Sequence, residues 1–209
     1  MRPILPERTG RRAVAWSYLA AFVAVDIALA IMSAADRSAV QQWASTNVVN
    51  LGHDPLGCLI ASAFLPSGYS AAWPFLIAMA MFGANRALGN WRTAAVCVAG
   101  HVAGTLVSEG IVAYRVWHGL LPQSDSRIID VGPSYVVVAA IVVAVLYGSW
   151  PARITAGVDL LLLIVVGGIF SGLSTLQVAA VGHTTSIIVA AILGALLAWR
   201  IRRAQSAGA

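Results

Sequence analysis

Six long apolar runs constrain the fold of this chain more than any other feature. A helix needs about 20 apolar residues to cross the hydrocarbon core of a bilayer. Of the 209 residues, 59% are hydrophobic and 10% are charged, whereas soluble domains carry about 25% charged residues. We therefore expect an all-α membrane protein with one domain, residues 1–209, and six spanning helices over residues 13–34, 71–88, 93–114, 134–149, 154–173 and 176–199.

The distribution of arginine predicts the orientation in the membrane. All 13 basic side chains are arginine, and they cluster before the first run and after the last. Loops on the cytoplasmic side are enriched in Lys and Arg. Both termini are therefore expected in the cytoplasm, at the inner membrane of a bacterium. The segment 35–70 becomes an outer loop, and its twelve-residue apolar run 55–66 is too short to span, which predicts an interfacial helix.

Charge and cysteine content argue against several other classes of protein. The net charge of +5 is explained by the arginines expected on the cytoplasmic side. Binding to nucleic acid would require a basic face on a soluble domain, and the sequence shows none. Cys58 and Cys97 are too few and too far apart in the predicted topology for a disulfide framework or a metal site. We expect no metal and no cofactor, and the sequence leaves the oligomeric state open.

Polar residues that can ionise are costly inside a bilayer and indicate function by default. They are Asp26, His101, Glu109, Asp159 and His183. For Asp26 and Asp159 we favour structural hydrogen bonds. His101 shares a helix face with Thr105 and Ser108, beside Glu109. This stripe either hydrogen-bonds neighbouring helices or lines a path for protons or substrate; the adjacent Gly100 and Gly104 favour the former.

The last span presents a face of small residues behind a histidine. His183, Ser186, Ala190 and Gly194 follow one another at helical spacing. Small residues allow another helix to approach closely. The sequence therefore predicts a tight helix–helix seam with His183 at its outer end.

The fourth span is the shortest, and its start is unusual. Gly132 and Pro133 precede Ser134, which falls in the first helical turn. Backbone N–H groups in a first turn lack intrahelical partners and can hold an anion. Irregular backbone at membrane depth requires burial in protein or a water-filled cavity. Ser134 is therefore either a helix cap or a nucleophile that His183 activates as a base.

The order and placement of these motifs resemble the rhomboid family of intramembrane serine proteases. The resemblance covers about residues 13–199 and rests on Gly132-Pro133-Ser134 and on His183 followed by Ser186 and Ala190. It implies a six-helix bundle whose short fourth helix starts inside the membrane. It also implies a Ser134–His183 dyad, oxyanion support from the backbone at Gly132 and Ser134, and a transmembrane protein substrate.

The sequence departs from the rhomboid pattern at three places. Tyr135 replaces the glycine that normally follows the serine, and Val138 replaces the aromatic residue that normally packs on the imidazole. The His-x-x-x-Asn motif that helps to bind the oxyanion is absent from the start of span two, where Tyr69–Phe75 stands instead. Three hypotheses follow. The protein is an intramembrane serine protease, a rhomboid-like protein that binds transmembrane clients without cleaving them, or a small transporter or proton-conducting protein that uses His101, Glu109 and Asp159.

Overall fold

The computed structural model describes residues 12–66 and 71–207, and within these ranges the protein is helical without strands. Two 3₁₀ turns, Gln123–Arg127 and Leu173–Thr175, lie in the connections. The helices are α1 (Ala13–Ile31), α2 (Ala34–Ala44), α3 (Val48–His53), α4 (Pro55–Ser62), α5 (Trp73–Leu88), α6 (Asn90–Trp117), α7 (Ser134–Tyr147), α8 (Trp150–Val165) and α9 (Val178–Ala207).

Six of these helices overlap the six apolar runs of the sequence. Three of them, α1, α6 and α9, are long and apolar enough to cross a bilayer, and α7 is a shorter apolar helix of 14 residues. The α5 and α8 helices have 16 residues each. The count of six spans therefore stays a prediction. Arg2, Arg8 and Arg11, which belong to the arginine cluster before the first apolar run, lie outside the described residues, as do Tyr69 and Ser70.

The α7 helix is the centre of the bundle. Ten consecutive residues, Tyr135–Ala144, are buried, and α7 contacts α5, α6, α8 and α9. A helix that is apolar on every side is expected in such a position, because it has no face that prefers water. The N-terminus of α7, and with it Ser134, is thereby fixed among the surrounding helices.

Two boundaries differ from the sequence prediction. The predicted span 154–173 lies in a helix that already ends at Val165, and Gly168 beyond it has φ of 59°. A left-handed residue cannot continue a right-handed helix, and glycine adopts that conformation without steric cost. Residues 166–177 therefore form a connection with one short 3₁₀ turn. The α9 helix continues to Ala207, eight residues beyond the predicted end of the last span at residue 199.

The described part of the predicted outer loop, residues 35–66, is folded and bound to the entry of α7; it is here termed the outer segment. Thr46 N–H donates to the Asp130 carbonyl at 2.9 Å, and Asp130 N–H donates to Ser45 Oγ at 2.9 Å. Two residues further, Gly132 N–H donates to the Ser62 carbonyl at 3.1 Å. The short helices α2–α4 thus position the chain that leads into α7.

Exposed tryptophans and arginines define the two ends of the bundle. Trp91, near the start of α6, and Trp117, at its end, are 62% and 88% exposed. They are separated by about 39 Å along the helix at 1.5 Å per residue, close to the 40–45 Å of a bilayer with its headgroups. Tryptophan prefers both interfaces. The end that contains Trp91, here termed the arginine-rich end, carries Arg12, Arg86, Arg92, Arg153, Arg200, Arg202 and Arg203.

Candidate functional site

Ser134 lies at the first position of α7 and is half-buried. The preceding Gly132 has φ of 153°, which a residue with a Cβ rarely adopts. Among the described residues, Ser134 Oγ has no hydrogen-bond partner, and Val137 N–H, which donates to the Pro133 carbonyl at 2.9 Å, is the first paired amide of α7. The amides of Ser134 and Tyr135 therefore remain as donors at the helix start.

The imidazole of His183 has a defined tautomer. Its Nδ1 lies 3.1 Å from the Ile169 carbonyl, and a carbonyl only accepts, so the proton is on Nδ1. Nε2 is buried and has no partner among the described residues. This nitrogen is the unprotonated one, and it is available to accept a proton.

Tyr135 packs between α6 and α9 beside this imidazole. Its ring meets the His183 ring edge-on, with centroids 5.1 Å apart, and lies 6.1 Å from the His101 ring. Its hydroxyl donates to the Val178 carbonyl at 3.3 Å, and its own carbonyl accepts from Ser186 Oγ at 3.1 Å. The residue next to the serine thus fixes the orientation of the histidine.

The small face of α9 lies against α7. A methyl group added to Gly182 would overlap the Tyr135 ring, and one added to Gly194 would lie 3.0 Å from the Tyr147 ring. Ser186 and Ala190 are fully buried between them. The same face also contacts α6. There, a Cβ on Gly104 would lie 2.9 Å from the Gly182 carbonyl, and one on Gly100 would lie 3.1 Å from Ser186 Oγ.

The polar stripe of α6 divides into two parts. His101 Nε2 donates to the Leu59 carbonyl at 2.9 Å and lies 3.4 Å from Ser62 Oγ, so it ties α6 to the outer segment as the hydrogen-bonding interpretation predicted. Thr105 Oγ1 and Glu109 Oε2 are buried without a partner among the described residues. His101 therefore has a structural hydrogen bond. Thr105 and Glu109 instead place buried polar atoms without hydrogen-bond partners among the described residues near the Tyr135–His183 pair.

The hydrogen bonds expected for the two span aspartates are absent from the part of the chain that the structure describes. Asp159 is fully buried in α8, and neither of its carboxyl oxygens has a partner there. Asp26 is half-buried on α1 and makes no hydrogen bond with a described residue. The sequence positions of the two aspartates do not reveal which side chains of other helices face them, so the expected hydrogen bonds could not be checked from the sequence.

Asp130 lies four residues before Ser134, at the end of the bundle opposite the arginine-rich end. Burial raises the pKa of this carboxyl to about 6, although a hydrogen bond from Thr46 Oγ1 at 3.2 Å opposes the shift. Asp130 also lines a cavity of about 540 Å³, together with Arg115 and Val178. This cavity lies at the end predicted to face outward and is here termed the outer cavity. The carbonyl of Val178 accepts from Tyr135, so this cavity reaches the neighbourhood of the paired rings.

A family model described as rhomboid-like protein matches residues 11–201. The chain belongs to the rhomboid-like family. No curated protein and no solved structure matches it. The family and the apolar helices together indicate an integral membrane protein.

Two contributors to the arrangement around His183 were not predicted from the sequence. Ile169, whose carbonyl fixes the His183 tautomer, was assigned to a spanning helix, and only the Gly167-Gly168 pair signalled that the helix ends before it. Tyr135 was noted only as a departure from the family pattern. Gly182, one helical turn before Ser186, was the available signal that a bulky ring packs against α9.

Proposed function

We propose that this rhomboid-like protein is an intramembrane serine protease that cleaves transmembrane segments. The observation that carries the proposal is the state of His183. Its Nδ1 proton is held by the Ile169 carbonyl, so the buried Nε2 has a lone pair and no partner among the described residues. A serine hydroxyl is a weak nucleophile and requires such a base beside it.

In this mechanism Ser134 Oγ attacks a carbonyl of the client segment while its proton passes to His183 Nε2. The Ile169 carbonyl then stabilises the imidazolium through Nδ1, and His183 returns the proton to the leaving amine. The unpaired amides of Ser134 and Tyr135 serve as donors for the oxyanion. The Gly132 N–H, which was expected to contribute, already donates to the Ser62 carbonyl at 3.1 Å. A water molecule from the outer cavity near Asp130 and Val178 completes the hydrolysis.

The geometry of the resting site also defines what must change for catalysis. No hydrogen bond joins Ser134 Oγ and His183 Nε2, and the Tyr135 ring packs against the imidazole. Catalytic hydrogen bonds are commonly loose without substrate and tighten when it binds. A client segment that enters beside α7 would bring the serine and the imidazole together.

These same contacts favour one alternative function. A ring fixed beside His183, together with the absent His-x-x-x-Asn motif, suits a protein that binds transmembrane clients and does not cleave them. Removal of one oxyanion donor costs about 10²–10³ in turnover. For both functions we place the protein in a bacterial inner membrane, with six spans and both termini in the cytoplasm.

A fluorophosphonate probe distinguishes the two functions. We expect the protein in mild detergent to be labelled at Ser134, and labelling to be lost in Ser134→Ala and in His183→Ala. His101→Ala is the matched control, because it removes a buried histidine whose Nε2 is already occupied by the Leu59 carbonyl. It should retain labelling in the fraction that stays folded.

The same variants should be assayed with a panel of transmembrane substrates. Because the two residues act as one unit, the Ser134→Ala/His183→Ala double variant should be hardly slower than either single variant. Undiminished cleavage by Ser134→Ala would rule out the serine mechanism. Absence of both labelling and cleavage in the folded unmodified protein would favour the client-binding function.

A further inference from the structure

A second cavity lies far from Ser134, at the arginine-rich end of the bundle. It has a volume of about 260 Å³ and opens between α5 and α8, beside the start of α1. Its polar rim consists of Arg12, Arg86, Ser149 and Thr155, and Ala78, Met79 and Phe82 form an apolar wall. The cavity therefore combines a charged mouth with an apolar interior at the level of the bilayer interface.

The charge of the rim favours an anion. Arg12 and Arg86 are both exposed, and none of the described residues that line the cavity is acidic. Planar guanidinium groups bind phosphate through paired hydrogen bonds. Arg12 precedes α1 as its N-cap and Arg86 lies in the last turn of α5, so a phosphate between them would be held from two sides.

The start of α8 adds to this preference. Ser149 precedes the 16-residue helix, and its side chain does not cap the first turn. Ser149, Pro151 and Ala152 line the cavity, so the positive end of the helix dipole lies at the rim, where it favours negative charge. Basic pockets between membrane helices on the cytoplasmic side are known to hold anionic lipid headgroups.

The apolar wall decides between a soluble anion and a lipid. Phe82 is held edge-on against Trp16, with ring centroids 4.8 Å apart, so α1 and α5 form a continuous apolar surface beside the cavity. On α8, exposed apolar residues such as Val158 and Leu161 continue toward the other end of the bundle. We propose that the cavity binds the phosphate of an anionic phospholipid, with an acyl chain along the groove between α5 and α8. This site does not depend on whether Ser134 is catalytic.

The test measures lipid binding to the purified full-length protein in detergent. Phosphatidylglycerol is titrated against phosphatidylcholine with the same acyl chains, and retained lipid is counted by native mass spectrometry. We expect phosphatidylglycerol to be retained more strongly. Arg12→Gln/Arg86→Gln should weaken its binding about 30-fold, because each arginine near an anionic surface contributes about fivefold.

The matched control is Arg92→Gln/Arg203→Gln. It removes the same charge from the same end, but these guanidinium groups lie over Trp91 and Trp199 and do not line the cavity. It should bind phosphatidylglycerol almost as well as the unmodified protein. Equal losses in the two double variants would mean that binding follows total charge, and the proposal would be wrong.

Two further arms separate the lipid from other ligands. Thr155→Trp should fill the cavity without changing charge and prevent retention, whereas Ile154→Trp, on the exposed side of the same turn, should not. Inorganic phosphate should not compete at concentrations where the lipid is bound. Competition by phosphate would identify a soluble-anion site, and equal retention of phosphatidylcholine would identify a merely apolar groove. Either result would overturn the proposal.

Discussion

The contact between Gly182 and Tyr135 provides the sharpest test of the packing around the site. A methyl group on residue 182 would overlap the end of the Tyr135 ring and lie 2.6 Å from its Cε1. The ring cannot withdraw freely, because its hydroxyl donates to the Val178 carbonyl and its other side faces α6 near Gly104. We therefore expect Gly182→Ala to displace Tyr135 and to destabilise the protein.

Two contributions lower the free energy of unfolding of Gly182→Ala, and a third partly offsets them. Overpacking of a close-packed interior costs about 1–3 kcal/mol, and loss of the Tyr135–Val178 hydrogen bond costs about 0.5–1.5 kcal/mol. The higher helix propensity of alanine returns about 0.5–1 kcal/mol. The net loss is about 1–3 kcal/mol, and each kcal/mol lowers Tm by about 2–4 °C in a protein of this size.

Thermal unfolding in detergent can be followed with a thiol-reactive fluorogenic dye, because Cys58 and Cys97 are both free and buried. Gly110→Ala and Gly157→Ala are matched controls, since a methyl group there meets no atom within 4 Å. They should be neutral or stabilising. In a Tyr135→Ala background, Gly182→Ala should no longer destabilise. An undiminished loss in that background would refute the assigned contact.

The remaining predictions concern Asp130 and the topology. The pKa of Asp130 is about 6 in the folded protein against an ordinary value of 3.8, so this carboxyl contributes stability below pH 4 that is lost as the pH rises to about 6. Asp130→Asn should flatten the Tm profile across that interval, and an unchanged slope would contradict the burial. Reporter fusions should alternate between outside and inside, beginning outside, when placed after residues 50, 90, 122, 151, 174 and 209; an outside report from the last would overturn the topology.

The helices were predictable because their signals are local. Apolar runs of the required length located α1, α5, α6, α7 and α9, and the pair Pro133-Ser134 located the start of α7. The low helix propensity of Gly167 and Gly168 indicates a helix end, but the apolar residues around them favoured a continuous span. The end of α8 was therefore placed eight residues too late.

The details of the site depend on contacts between residues distant in sequence, and these have no local signal. The Ile169 carbonyl reaches His183 across 14 residues, and the Tyr135 carbonyl reaches Ser186 across 51. The small residues on α9 predicted that a helix would approach, but they could not specify that both α6 and α7 meet the same face. Helix packing in membranes is decided by such shape matching, which sequence spacing describes only in part.

The hydrogen bonds between the outer segment and Asp130 have a consequence for biosynthesis. Thr46 and Asp130 are 84 residues apart, so the entry of α7 is shaped by a part of the chain that is made much earlier. Loops of this length are slow to close compared with local helix formation. We therefore expect α2–α4 to be in place before the backbone at Gly132 acquires its final conformation. The geometry around Ser134 would then be among the last features to form, so a chain still being inserted carries the serine without the site.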